Sequence, residues 1–315
     1  MAILLRLRGA VARRLPEPVK RILRRVLPAR LVAWRPQVRR FSLAMPVPPS
    51  GLGPVVRPAV APARVAIEAP WRSYVPRLLD ESGVAGYEPE TMAAFLAAIS
   101  IGNATEVFDV GANVGIFSII AASTTLARVT GFEPTPQLAE RFGVIAAANG
   151  LSCTVEPIAL GSHSGRATLY LSARTDSSNS LNPGYRPATG TIEVPVERLD
   201  DYVARTGRRP SVMKIDAETT EPDVLAGGLE TLRAIRPWLI CEVLAGRSEP
   251  ALMAILRPLG YRFHHLGGGP EVVEMDEIIG DPTSAHRDWL FTPEPLPPAF
   301  ATHYSAWLRA LRATR

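Results

Sequence analysis

Residues 106–118 read Glu-Val-Phe-Asp-Val-Gly-Ala-Asn-Val-Gly-Ile-Phe-Ser, and this stretch restricts the fold more than any other. Val107, Phe108 and Val110 form a short apolar run with one acid inside it, the pattern of a buried parallel strand. Gly111 and Gly115 follow, and then an apolar helical pattern through Val114, Phe117, Ala121 and Ala122. Strand, glycine-bearing turn and helix start make the first half of a βαβ nucleotide-binding unit. Missing Cβ atoms let the backbone come close to a ligand, and the helix start offers free N–H donors. The glycine spacing differs from the G-x-G-x-x-G dinucleotide fingerprint, which disfavours a nicotinamide-dependent oxidoreductase.

Asp109-x-Gly111-x-Asn113-x-Gly115 fits instead the first motif of S-adenosylmethionine enzymes. The plainer alternative is a tight β–α turn in any doubly wound domain. A second feature weighs against it: the next apolar run, Val129 to Phe132, ends in Glu133, 24 residues after Asp109. An acid there can accept from both hydroxyls of a ribose diol, although a strand-end glutamate also occurs for no such reason.

Strands and helices alternate along the rest of the chain. Helices are expected over 90–101, 136–148 (closed by Asn149-Gly150) and 221–235. Core strands are expected over 153–158, 212–216, 238–243, 261–264 and 289–291. Residues 166–171 and 191–197 alternate like a hairpin around a long polar loop, 172–190. The expected fold is α/β: a doubly wound, mostly parallel, seven-stranded Rossmann-like sheet with a β-hairpin insertion. The chain divides into a basic tail (1–45), a Pro/Gly-rich linker (46–63), a helical lead-in (64–104), the main domain (105–295) and a C-terminal helix (296–315).

Charge is unevenly spread. Residues 1–45 hold 12 Arg or Lys and one acid, a net +11, whereas the other 270 residues hold 23 basic and 29 acidic groups, a net −6. A mildly acidic domain argues against a nucleic-acid groove. Within the tail, Val19, Ile22, Leu23, Val26 and Leu27 share one helical face and Lys20, Arg21, Arg24 and Arg25 the other. Such a helix suits an anionic membrane surface, with a helix packed on the domain or an unstructured tail as alternatives. The Pro-rich linker would then act as a spacer. The uncharged run 110–127 holds Gly111, Asn113 and Gly115 and fits a strand and core helix better than a membrane span. Only Cys153 and Cys241 are present, on separate expected strands, which points to a reducing compartment and no cysteine metal site. The expected location is the cytoplasm, at or near the inner face of the membrane.

Ligands of such sheets lie at the carboxyl ends of the strands. Those ends carry Asp109, Glu133, Ile158-Ala159, Asp216-Ala217-Glu218 and Glu242, an acidic rim suited to a cationic sulfonium. Asp216 and Glu218 are candidates for a general base or for anchors of substrate hydroxyls; a Lys214–Asp216 pair closing the strand is the structural alternative. Glu242 and His163 are reserves for the base, His163 because it follows the third strand. No histidine shows metal spacing, and no metal is expected.

Taken together, F-D-V-G-A-N-V-G (108–115), G-F-E-P (131–134), A-L-G (159–161), N-S-L (179–181), V-P-V-E-R-L-D (194–200), K-I-D-A-E-x-x-E (214–221) and W-L-F (289–291) resemble the FkbM-type S-adenosylmethionine-dependent methyltransferases. The resemblance covers roughly residues 85–293. It implies a class I methyltransferase fold and O-methylation of sugars, glycolipids or polyketide products. It also implies Gly111, Asn113 and Gly115 around the methionine part of the cofactor, Glu133 on the ribose and Ile158 and Ala159 near the adenine, with Asp109 and Pro134 also among the cofactor-binding residues. Asp216 and Glu218 would face the methyl group and a hydroxyl-bearing small-molecule or lipid-linked glycan acceptor. Two departures stand out. Thr219 replaces the glycine that usually follows the glutamate of K-I-D-x-E-G, and Pro157 replaces an asparagine common before A-L-G. They leave one alternative function, a catalytically silent module docking to a membrane glycan-assembly complex.

Overall fold

The computed structural model describes residues 38–58, 64–71, 73–267, 269 and 271–314. The amphipathic 17–27 segment and the tail up to residue 37 lie outside them. Two antiparallel strands come first, β1 (Val38–Ala44) and β2 (Arg64–Pro70), with Val65, Ile67 and Ala69 of β2 turned inward. The expected linker does not hang free over its described part. Met45, Leu52, Val55 and Val56 are buried, Arg57 N–H donates to the Thr124 carbonyl at 2.9 Å, and Leu126 N–H donates to that of Val55 at 2.7 Å. The prolines lack donors, but the apolar residues among them have surface to bury, so residues 45–57 lie against the domain.

Helices α1 (Tyr74–Ser82) and α2 (Pro89–Ile101) lead in. Residues 91–100 of α2 are all buried, as expected for a helix apolar on every face. The main domain then runs β3 (Glu106–Val110), α3 (Ile116–Thr124), β4 (Arg128–Phe132), α4 (Pro136–Ala148) and β5 (Cys153–Glu156). The insertion is a separate three-stranded sheet: β6 (Ala159–Leu160), β7 (Gly165–Ser172) and β8 (Ala188–Glu197), with β8 central. After α5 (Leu199–Thr206) come β9 (Val212–Ile215), α6 (Glu221–Ala226), α7 (Leu229–Ala234) and β10 (Trp238–Glu242). The chain closes with α8 (Glu249–Leu256), β11 (Arg262–His265), β12 (Val273–Met275), β13 (Asp288–Thr292) and α9 (Ala299–Arg312).

The main sheet has the order β12-β11-β13-β10-β9-β3-β4-β5 and is parallel from β10 to β5, with β13 antiparallel to both its neighbours. It is the expected doubly wound sheet with an eighth strand. β12 is three exposed residues on the edge, too short and too polar to be read from sequence. One apolar cluster, including Phe95, Phe117 and Trp307, covers one face; another, including Tyr202, Val224 and Leu252, covers the other. The helix expected over 221–235 is broken at Gly227-Gly228. A Cβ at Gly227 would overlap the carbonyl oxygen of Gly161, and one at Gly228 would press on Leu199. Dense packing against the Gly161 turn and α5 therefore requires glycine at both positions. Strand order reverses between β3 and β9, the position where open α/β sheets hold their ligands.

Candidate active site

At the end of β3 the chain turns through Gly111, at φ +78°, and its N–H donates to the Phe132 carbonyl at 3.0 Å. A Cβ here would overlap the carbonyl oxygen of Asp216, and one at Gly115 (φ +78°) would overlap the Phe142 ring. Both glycines are thus demanded by the protein's own packing. Gly111 also lines the cavity described below, whereas Gly115 does not. Between them Asn113 takes the left-handed region at φ +53°, and its Oδ1 accepts from Val114 N–H at 2.9 Å, a local bond that suits asparagine there.

Glu133, only 5% exposed, ties the turn to β4. Its Oε2 accepts from Asn113 N–H and its Oε1 from Thr135 N–H, each at 2.8 Å. A carboxylate oxygen has two lone-pair sites, so each keeps one for a further donor. Burial pushes this carboxyl up, and the two backbone bonds pull against it. Asp109 is spent differently. Its Oδ2 accepts from Ser118 N–H at 3.1 Å and Ser118 Oγ at 2.7 Å, which fixes the first turn of α3 to the sheet. It is an anchor of the loop at least as much as a ligand contact.

Across the switch point lies a denser group of charges. Lys214 Nζ donates to Asp216 Oδ2 at 2.8 Å and sits 4.5 Å from the centre of the Phe117 ring. Burial acts on both partners, but each favours the charged form of the other: the Lys214 pKa is raised and that of Asp216 lowered. Arg287 Nη1 meets Glu242 Oε1 at 2.5 Å. Burial, then Asp216 and Glu218, still push Glu242 well above the ordinary carboxylate range. Glu218 stands at φ +54° and Thr219 at φ +81°. Ser180 Oγ donates to the Glu218 carbonyl at 2.6 Å, Asn182 Nδ2 to Thr219 Oγ1 at 2.9 Å, and Glu221 Oε1 accepts from Ala217 and Thr219 N–H. At the Thr219 dihedral a glycine, the residue the resemblance leads one to expect there, would be unstrained. Burial pushes the Glu218 carboxyl up to about 7, Asp216 adding to the effect, and Glu218 Oε2 has no hydrogen-bond partner among the described residues.

These groups border one cavity of about 670 Å³. Of the expected site residues, Asp109, Gly111, Asn113, Glu133, Pro134, Ala159, Asp216, Glu218 and Glu242 all line it. Ile158 does not; it packs against the apolar cluster around Phe132 and Tyr202. His163 does not either: it is exposed on the turn between β6 and β7, away from the cavity, because the third strand ends before Pro157 and the chain there enters the insertion. The segment 174–181 of the long loop forms one wall, and Tyr74 N–H donates to Asp176 Oδ1 at 2.9 Å. Sequence reasoning missed the lead-in residues Tyr74, Tyr87 and Glu88, together with Arg186, Ser284 and Arg287. A charged residue just before the W-L-F strand was the one available signal, for Arg287.

Residues 109–263 match the family model "Methyltransferase FkbM domain". This stretch is an FkbM-type methyltransferase domain. Among solved structures, a methyltransferase FkbM from Methylobacillus flagellatus KT is 15% identical, with a TM-score of 0.36 over 60% of this chain and 44% of that one. A 16S rRNA N2 G1207 methyltransferase of T. thermophilus, solved with AdoMet and guanosine, is 12% identical with a TM-score of 0.43 over 82% and 51%. Magnesium protoporphyrin IX methyltransferase from Synechocystis PCC 6803, with bound SAM, is 15% identical with a TM-score of 0.36 over 65% and 79%. The chain thus spans about half the length of the first two. No curated protein matches it.

The methyl donor of an FkbM domain is S-adenosylmethionine, and the cradle fits it. Glu133 keeps a lone pair on each oxygen for a diol, the Gly111–Asn113 backbone borders the cavity, and the rim beyond is rich in carboxylates for a cationic centre. No helix among the described residues is long and apolar enough to cross a membrane.

Proposed function

We propose that the domain methylates a hydroxyl oxygen of a glycan, glycolipid or polyketide-type acceptor, with Glu218 as the general base. The observation that carries this reading is the Glu218 carboxyl, which lines the cavity and is pushed up to about 7 by burial and the neighbouring Asp216. An alcohol is a weak nucleophile at pH 7, and a carboxylate that accepts its proton as the new bond forms contributes about 10²–10⁴-fold. When bound, S-adenosylmethionine supplies the electrophilic methyl group. Glu133 holds the ribose end, and Asp216, kept ionised by Lys214, holds a hydroxyl or the positive charge nearby. Segment 174–181 helps exclude water from the cavity. Asp216 is a poorer base than Glu218, because the ammonium beside it stabilises its anion.

The test is methyl transfer from tritiated S-adenosylmethionine to a panel of methyl and octyl glycosides. Glu218→Gln should bind S-adenosylhomocysteine normally and lose at least about 10²-fold in turnover. The wild-type kcat/KM should rise with pH through about 7, as Glu218 ionises. Cofactor binding without transfer to any acceptor would favour the silent docking module.

We further propose a cytoplasmic enzyme whose basic tail meets an anionic leaflet, each basic group adding about 1 kcal/mol at low salt. Because β1 pairs with β2, the informative truncation starts at Val38. The full chain should sediment with phosphatidylserine vesicles in a salt-dependent way and the truncated chain should not. Equal partitioning of the two would remove the membrane from this picture.

A further inference from the structure

The strand ends and the 174–181 segment supply much of the cavity wall; the lead-in, outside the matched domain, adds Tyr74, Tyr87 and Glu88 among others. Glu88 is the residue there that most needs an explanation. It precedes Pro89 and adopts φ +45°, ψ +51°, a left-handed conformation that strains a non-glycine residue. A residue before proline is also restricted by the pyrrolidine ring and prefers an extended backbone. Nothing in the local bonding repays this. The Glu88 carboxyl neither caps α2 nor has a hydrogen-bond or ion-pair partner among the described residues, and it lines the cavity. α2 itself is held without it: Thr91 Oγ1 donates to Asp288 Oδ2 at 2.8 Å, tying the helix start to β13.

We propose that Glu88 is an acceptor-contacting residue, whose carboxyl donates a hydrogen bond to an oxygen of the hydroxyl-bearing substrate in the cavity it shares with Glu218. This rests on the methyltransferase reading above. The groups that face Glu88 set its protonation. Its own segment places Tyr87 beside it; β13 supplies Asp288, the residue before β13 supplies Arg287, and the β9 end supplies Lys214 and Asp216. Both cations are engaged elsewhere, Arg287 with Glu242 and Lys214 with Asp216. Burial first, then Asp288, push Glu88 up to about 8. At neutral pH it is a neutral donor while a large share of Glu218 is an anionic acceptor. Two carboxyls with separated titrations can divide acid and base roles in this way.

The experiment uses the full-length enzyme, tritiated S-adenosylmethionine and the same glycosides. Glu88→Ala should lower kcat/KM about 10–100-fold, the effect of one hydrogen bond involving an ionisable group, with the Kd of S-adenosylhomocysteine unchanged. Glu88→Gln keeps a donor but cannot ionise. It should retain most activity at pH 7 and lack the fall in kcat/KM expected of the wild type above about pH 8. Glu88→Gly should lose activity like the alanine variant without any drop in Tm, since glycine takes this backbone freely. Unchanged kcat/KM in Glu88→Ala, with an active wild type, overturns the proposal and leaves the methyltransferase reading standing. So does an alkaline limb that survives in Glu88→Gln, or a Glu88→Gly Tm that falls in step with activity. Absence of transfer by the wild type to every glycoside overturns the hydroxyl-acceptor reading and this role with it.

Discussion

The two halves of the cavity are built on opposite principles. On the β3–β4 side the carboxylates that line the cavity are held by the protein's own donors. Both Glu133 oxygens take backbone N–H groups, Asp109 grips Ser118, and the left-handed positions fall to Gly111, Gly115 and Asn113, residues that accept them readily. Across the cavity, on the β9–β10 ends, the lead-in and the loop before β13, the left-handed positions fall to Glu88, Glu218, Thr219 and Ser284, and Glu218, Glu221 and Glu242 each keep a carboxylate oxygen without a partner among the described residues. A ligand common to a whole family can be met by a finished, unstrained cradle. Strain and unspent hydrogen-bonding capacity gather where the site waits for a partner of its own.

The comparison breaks most visibly at Gly111. Gly111→Ala forces a Cβ into the Asp216 carbonyl and keeps φ positive, so the switch point itself must open. We expect about 2–5 kcal/mol lost in denaturant unfolding, adding left-handed strain to overpacking, together with loss of cofactor affinity. A variant of native stability that binds S-adenosylhomocysteine normally would show the two halves to be less tightly joined than described. Lys214→Met attacks the other half. It strips the ammonium from Asp216, Asp109 and Glu88, and breaking a buried pair costs about 3–5 kcal/mol. Asp216 has a lowered folded-state pKa, so the stability it brings is present above the unfolded carboxylate range and lost as pH falls through its depressed value. The gap between wild type and variant should therefore narrow on acidification below about pH 4, and a gap independent of pH would contradict the pairing.

Next in size is Glu133→Ala, which should weaken S-adenosylhomocysteine binding by about 1–3 kcal/mol in calorimetry, the loss of charge-assisted bonds to a diol. An unchanged dissociation constant would remove Glu133 from the ribose. This residue and its neighbours were legible because their signals are local: glycine spacing, an acid closing an apolar run, an asparagine in a turn. Glu88, Ser284 and Arg287 were not, since they reach the cavity through tertiary packing and no pattern marks a non-glycine residue held at positive φ. His163 and Ile158 failed for a related reason. Sequence reading placed Ile158 at the end of the third strand and His163 after it, but the strand ends at Glu156 and the chain there departs into a second sheet. Proline content alone suggested a free spacer at 46–63 and hid the buried Leu52, Val55 and Val56. The Gly227-Gly228 pair was a readable break that helical periodicity overrode.

The smallest expected effect separates strain from function most directly. Thr219 holds φ +81°, a conformation that a β-branched residue resists, and its hydroxyl accepts from Asn182 Nδ2. Thr219→Gly removes roughly 1–3 kcal/mol of backbone strain. It gives up one hydrogen bond worth about 1 kcal/mol and adds about 0.5–1 kcal/mol of chain entropy to be lost on folding. The net should be a gain of no more than about 1 kcal/mol, read as a small rise in Tm. Activity should move the other way. Glu218 is held in its own left-handed conformation by Ser180 and by the turn that Thr219 closes, and a glycine there lets the turn sample other geometries. A variant both more stable and slower would show that this half of the site gives up stability for placement of the base. A clear fall in Tm would mean that the Asn182 bond outweighs the strain, and that the threonine is kept for stability.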